Sequence, residues 1–115
     1  MQEFMMLFRH IPNPEYVPSA EEIQAEINKW QDWIGSIASQ GKFISTNQLG
    51  LEGKSLNAKH IITDGPYAEI KEIVGGYIIL KSADWDEAME IAKGCPVLVY
   101  PGATVEVRPI MQINI

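Results

Sequence analysis

The sequence predicts an α+β domain in which two helices cover one face of an antiparallel sheet. Two apolar runs, at about residues 3–9 and 75–80, have the length and composition of buried strands. Two helical stretches each start with a residue that can cap a helix, followed three positions later by a glutamate. The resulting order of elements is βαββαβ, and two helices are too few to cover both faces of a sheet.

The first strand and the first helix follow from local patterns. Residues 3–9 are apolar on both alternating faces, which is typical of a central strand covered on each side. Ser19 precedes Glu22 by three positions, the spacing of a capping box, so a helix is predicted to begin there. Gly41 supplies the left-handed residue that commonly closes a helix. An apolar stripe with helical spacing is expected to pack on the sheet: Ile23, Ile27, Trp30, Ile34 and Ile37.

A hairpin is predicted after the first helix. Residues 42–49 are typical of a strand with one polar face, and a turn at residues 50–54 leads into a third strand at about residues 55–63. In the next strand, Gly75 and Gly76 indicate a bulge or a close approach of backbone. A second helix is predicted from Asp84, and a half-exposed strand from Thr104 to Ile113.

This order of elements predicts the ferredoxin-like arrangement, an antiparallel sheet with both helices on one face. The opposite face of the sheet then has no cover within the chain. Since the first and fourth strands are apolar on both faces, leaving that face in water is costly. We therefore expect a homodimer in which a second copy covers the open face.

Composition and charge narrow the classes of function. A chain of 115 residues, 46% hydrophobic and 21% charged, has the size and makeup of one globular domain, assigned to residues 1–115. The net charge of −6 opposes binding to nucleic acid and to anionic membranes. Cys95 is the only cysteine, which favours a reducing, cytoplasmic location. The apolar run at residues 4–8 is too short for a signal peptide or a membrane span.

Candidate catalytic residues lie around a charged turn that begins at Asp64. Asp64 can accept hydrogen bonds from the amides of its own turn, so a purely structural role is one interpretation. His60 lies four residues earlier, and an imidazole beside a carboxylate is suited to acid–base chemistry. Residues i and i+4 of an extended strand are far apart, so a His60–Asp64 pair requires the chain to fold back.

Further residues are candidates for ligand binding. Arg9 has the planar fork that suits a carboxylate, although it can equally pair with one of the many acidic residues. His10 ends the first strand, where a polar loop role is the simpler interpretation. Tyr67 can line a pocket or pack, and Lys71 can bind a ligand or belong to a solvated charged edge. Two histidines fifty residues apart predict no metal site, and neither phosphate-loop pattern is present, so no cofactor is predicted.

Six segments of the sequence carry a resemblance to a known family: residues 64–67, 4–7, 71–72, 75–77, 86–88 and 106–110. Through these segments the sequence resembles the YCII-related family, and within it the DGPF subgroup named for an Asp-Gly-Pro-Phe turn. Tyr67 stands where the Phe would be. The resemblance implies a dimeric α+β barrel, and a histidine and an aspartate have been proposed as the family's enzymatic site.

This chain departs from the family pattern at two places. It has no histidine between Ser19 and Gly41, where the family's helix histidine lies, and Ile70 replaces the usual Thr of the turn. The predicted function is a small dimeric protein that binds a small molecule near residues 64–66, with possible acid–base chemistry. The alternatives are a non-catalytic protein-interaction module and, by analogy of fold, a cofactor-free monooxygenase or isomerase.

Overall fold

The computed structural model describes residues 1–13, 15–64 and 72–113. The described chain has α+β architecture, with two α-helices and a four-stranded antiparallel sheet, which confirms the predicted fold class. The elements in chain order are β1 (Gln2–His10), α1 (Ala20–Ser39), β2 (Phe43–Gln48), β3 (Lys54–Leu56), β4 (Ile62–Asp64), β5 (Ile73–Ser82), α2 (Trp85–Lys93), a 3-10 helix (Pro96–Val99) and β6 (Thr104–Pro109).

The four-stranded sheet has the order β2-β5-β1-β6, so the two strands predicted to be buried, β1 and β5, are its central strands. Along β1, buried side chains alternate with partly exposed ones. Phe4, Met6 and Phe8 are buried on the face that also carries the buried Ile78 and Leu80 of β5. This face forms the core with the helices, as expected from the period of two in a strand.

The predicted third strand is wrong, because residues 54–64 form a separate two-stranded ribbon of β3 and β4. Strand β2 pairs with β5 instead of with a third strand. The reason is a turn in the middle of the predicted strand. The side-chain oxygen of Asn57 accepts hydrogen bonds from the amides of Lys59 (2.9 Å) and Ile61 (3.0 Å), and His60 adopts a φ of 62°. Asparagine favours such local bonding over a continuous ladder.

Both predicted helix starts are confirmed. Ser19 and Glu22 form the full capping box, and the Asp84 side chain accepts from the amide of Glu87. Gly41 has a φ of 70° after α1, as predicted. These bonds satisfy amide groups that a helix start leaves without partners.

Only the second half of the predicted stripe on α1 packs on the core. Trp30, Ile34 and Ile37 contact the core cluster, whereas Ile23 and Ile27 remain 46% and 42% exposed. Helical spacing places all five side chains on one face of α1, but it does not determine how far the sheet extends beneath the helix. The first half of α1 therefore presents an apolar face that the described part of the chain leaves exposed.

Aromatic contacts hold α1 against the sheet. The ring centroid of Phe8 lies 5.0 Å from that of Trp30 and 5.9 Å from that of Trp33, both edge to face. The indole nitrogen of Trp33 also donates a 3.0 Å hydrogen bond to the carbonyl oxygen of Ile91, which ties α1 to α2. Cys95 is buried beside this cluster, and burial raises the pKa of its thiol to about 12, so it is a packing residue.

The sheet face opposite the helices is apolar at its centre. Met5 and Leu7 of β1 alternate with the buried residues and pair with Ile79 and Tyr77 of β5, and all four side chains are partly exposed. The radius of gyration is 16.0 Å. A compact chain of this length has about 13 Å. The single chain is therefore more extended than an isolated domain of its size.

Candidate functional site

His10, the last residue of β1, lies against a β-bulge of β5. The register between β1 and β5 shifts after Phe8, which pairs with Gly76, so that Gly75 has no pairing partner on β1. A Cβ atom at Gly75 would lie 2.6 Å from Nε2 of His10, and the imidazole therefore occupies the space of a side chain. A Cβ at Gly76 would lie 2.9 Å from the carbonyl oxygen of Asn47. Gly75 thus forms a bulge and Gly76 allows a close approach of backbone, the two features predicted for this pair of glycines.

Arg9 lies beside His10 in the chain and is already paired. Its Nε lies 3.2 Å from Oε1 of Glu106 on β6, and Nη1 of Arg108 lies 3.9 Å from the other oxygen of the same carboxylate. Both Arg9 and Glu106 are more than one-third exposed, so this ion pair is partly screened by water. Of the two interpretations of Arg9, pairing with an acidic residue is the one that the structure shows. The pair is formed by the Nε edge of the guanidinium group.

Two further polar residues lie at this end of the sheet. The hydroxyl of Thr104, the β6 partner of Arg9, lies 3.5 Å from a carboxylate oxygen of Glu72. Sequence reasoning did not select Glu72 or Thr104 as site residues, because their proximity arises from the pairing of β1 with β5 and β6. No local spacing in the sequence carries that signal.

Asp64 and His60 lie at different ends of the ribbon. Asp64 ends β4 with a side chain that is 90% exposed, and Lys54 Nζ lies 3.3 Å from its Oδ1. His60 lies in the turn, where its amide donates to the carbonyl oxygen of Asn57 (2.9 Å). Within the described chain, no hydrogen bond or ion pair joins these two side chains. Tyr67 and Lys71 lie outside the described residues.

Two shallow grooves lie on the helix side, away from the residues named above. The larger, about 600 Å³, runs between α1 and the 3-10 helix, and its lining includes Lys29, Trp33, Lys93 and Pro96. The smaller, about 430 Å³, lies between α1 and α2. Neither is lined by a predicted site residue. In residues 1–13, 15–64 and 72–113, no three His, Cys, Asp or Glu side chains gather as metal ligands would.

The family model of the YCII-related domain matches residues 2–114, nearly the whole chain. The chain belongs to the YCII-related family. A search of curated proteins found no match to this YCII-related chain. The match confirms the family that the sequence resemblance predicted. That resemblance rested on the turn at residues 64–67 and on five other segments of the chain. No helix in the described part of this YCII-related protein is long and apolar enough to cross a membrane.

Proposed function

We propose that this YCII-related chain is a cytoplasmic homodimeric protein of the DGPF subgroup that binds a small molecule at the His10 end of its sheet. Its fold is a ferredoxin-like subunit of a dimeric α+β barrel. The sheet order β2-β5-β1-β6 and the placement of one helix after β1 and one after β5 support this arrangement.

The open sheet face supports the homodimer. The partly exposed Met5, Leu7, Tyr77 and Ile79 form an apolar centre, and charged residues of β6 lie at its margin. A stable interface buries about 800 Å² on each partner, with an apolar centre and a polar rim. The face of a four-stranded sheet has the shape for such an interface, and a second copy supplies a matching surface.

The seating of His10 on Gly75 is the observation that carries the proposed site. His10 pairs with Ile73, the first residue of β5, and Glu72 immediately precedes that strand. Residues 65–71 join Asp64 to Glu72 in the sequence, and Glu72 lies next to the His10 end of the sheet. Tyr67 and Lys71 are part of this segment and are proposed ligand-binding residues together with Arg9.

The chemistry of these groups suits a small aromatic carboxylate. Arginine and lysine bind a carboxylate, and tyrosine offers an aromatic surface to a ring. Asp64 and His10 supply a carboxylate and an imidazole, the two types of group that acid–base chemistry most often uses. The Asp64 carboxylate pairs with Lys54 alone within the described chain and is largely exposed, so it is accessible to a ligand.

A thermal-shift titration with benzoate and phenylacetate tests this proposal. A bound ligand at one hundred times its Kd stabilises the native state by about 2.7 kcal/mol, which raises the Tm by several degrees. We expect Asp64→Asn to lose this rise while its Tm without ligand stays close to that of the wild type. Glu52→Gln, a change of another exposed carboxylate ahead of the ribbon, is the matched control and should respond as the wild type does. An equal response of Asp64→Asn, or no response of the wild type to either probe, would contradict the proposal.

A further inference from the structure

The ribbon of residues 54–64 has more exposed aliphatic surface than is compatible with a stable isolated hairpin. Leu56, Ile61 and Ile62 are 64%, 53% and 65% exposed. Within the described chain, β3 and β4 pack extensively only against each other. Because a two-stranded hairpin alone is marginally stable in water, the ribbon requires a surface to pack on.

The same chain has a second apolar surface without a cover. We define the α1 patch as Tyr16, Val17, Ile23 and Ile27, which lie just before or on the first half of α1 and are all exposed. The core does not extend beneath this half of the helix, as Trp30 is the first residue of the stripe that contacts it. The α1 patch and the ribbon are thus two exposed apolar surfaces on one chain that do not cover each other.

The helix that carries the α1 patch is acidic at this end. Its helix carries Glu21, Glu22 and Glu26, and the carboxylates of Glu22 and Glu26 accept hydrogen bonds from Tyr16 and Tyr100. The hydrogen bond from Tyr16 lowers the pKa of Glu22, which keeps that group ionised. The ribbon turn carries Lys59 beside His60. A basic turn on an apolar ribbon therefore complements an acidic helix with an apolar face.

From this complementarity we infer that the ribbon of each protomer crosses to the second copy and packs on the α1 patch of that copy. The inference rests on the proposed homodimer, in which the two sheet faces cover each other. Each ribbon then extends around the edge of that interface to the second copy. A twofold axis then places two identical ribbon contacts in the dimer. Since Asp64 ends β4, the contact also fixes the position of Asp64, so each ligand site depends on the partner that anchors its ribbon.

Cross-linking between two different variants tests the inference. Leu56→Cys and Ile27→Cys chains, carrying different affinity tags, are co-expressed, and the mixed dimer is treated with a short bis-maleimide. We expect a cross-linked product that carries both tags. The matched control replaces Ile27→Cys with Met89→Cys, an exposed position on α2, and should give only background. The native Cys95 is buried and is present in both experiments, so its contribution cancels.

The outcomes separate the ribbon contact from the dimer itself. A dimer by sedimentation with no more product than the Met89→Cys control would overturn the ribbon contact and leave the proposed dimer standing. A product within one chain of a Leu56→Cys/Ile27→Cys double variant would overturn the crossing. Monomers at all concentrations would refute the homodimer. As a second measurement, Ile62→Asp is expected to raise the dimer Kd at least about tenfold, and an unchanged Kd would also overturn the contact.

Discussion

Replacing Leu7 with glutamate is expected to convert the proposed homodimer into a monomer at micromolar concentration. Leu7 lies on the open sheet face between its pairing partners Tyr77 on β5 and Glu106 on β6. A glutamate there would lose its water when the second copy packs on it, and it would face the carboxylate of Glu106. We expect Kd to rise at least about thirtyfold, which corresponds to about 2 kcal/mol. Sedimentation velocity over a range of concentrations measures the change.

A charge on the helix side is the control for the Leu7→Glu variant. Met89 on α2 is exposed, and Met89→Glu should leave the proposed dimer intact. Circular dichroism of both variants checks that the monomer stays folded. If Leu7→Glu keeps the wild-type Kd with an intact fold, the open face is not the dimer interface.

A side chain at Gly75 is expected to destabilise the protein by about 1–3 kcal/mol, the usual cost of overpacking. The added methyl group would collide with the imidazole of His10, at 2.6 Å from its Nε2. Because the obstacle is a side chain, replacing it should remove most of the cost. We therefore expect Gly75→Ala to be far less destabilising in a His10→Ala background, a coupling that a double-mutant cycle in urea detects at fixed protein concentration.

The neighbouring glycine provides the matched control for that cycle. At Gly76 the added methyl group would meet the carbonyl oxygen of Asn47 on β2, at 2.9 Å. Backbone in a paired strand cannot move aside without weakening the ladder, so Gly76→Ala should be costly with or without His10. Equal costs of Gly75→Ala in the two backgrounds would show that His10 does not occupy the bulge.

Patterns local to a few residues predicted much of the fold. The caps at Ser19 and Asp84, the left-handed Gly41 and the bulge at Gly75 each depend on the chemistry of neighbouring residues, and the structure has all of them. The sequence predicted a single strand at residues 55–63 because β-propensity alone does not detect the turn at Asn57. One side-chain amide with two backbone donors was enough to break that strand.

The site was harder to predict because its contacts are not local. Arg9 and Glu106 are ninety-seven positions apart and meet only because β1 pairs with β6. The sequence indicated which side chains carry useful chemistry, namely His10, His60 and Asp64, but strand pairing decides which of them share a surface. The prediction that the whole stripe on α1 packs on the sheet was wrong for the same kind of reason. Ile23 and Ile27 lie beyond the part of α1 that the sheet covers.

Imidazole NMR signals during a benzoate titration test most directly whether Asp64 and a histidine share one ligand site. The chain has two histidines, so His10→Gln and His60→Gln variants assign both signals. We expect a saturable shift of at least one signal in the wild type and in Glu52→Gln, and its loss in Asp64→Asn. If neither signal moves, or if the same shift persists in Asp64→Asn, Asp64 and the histidines do not form one site and the proposed function is wrong.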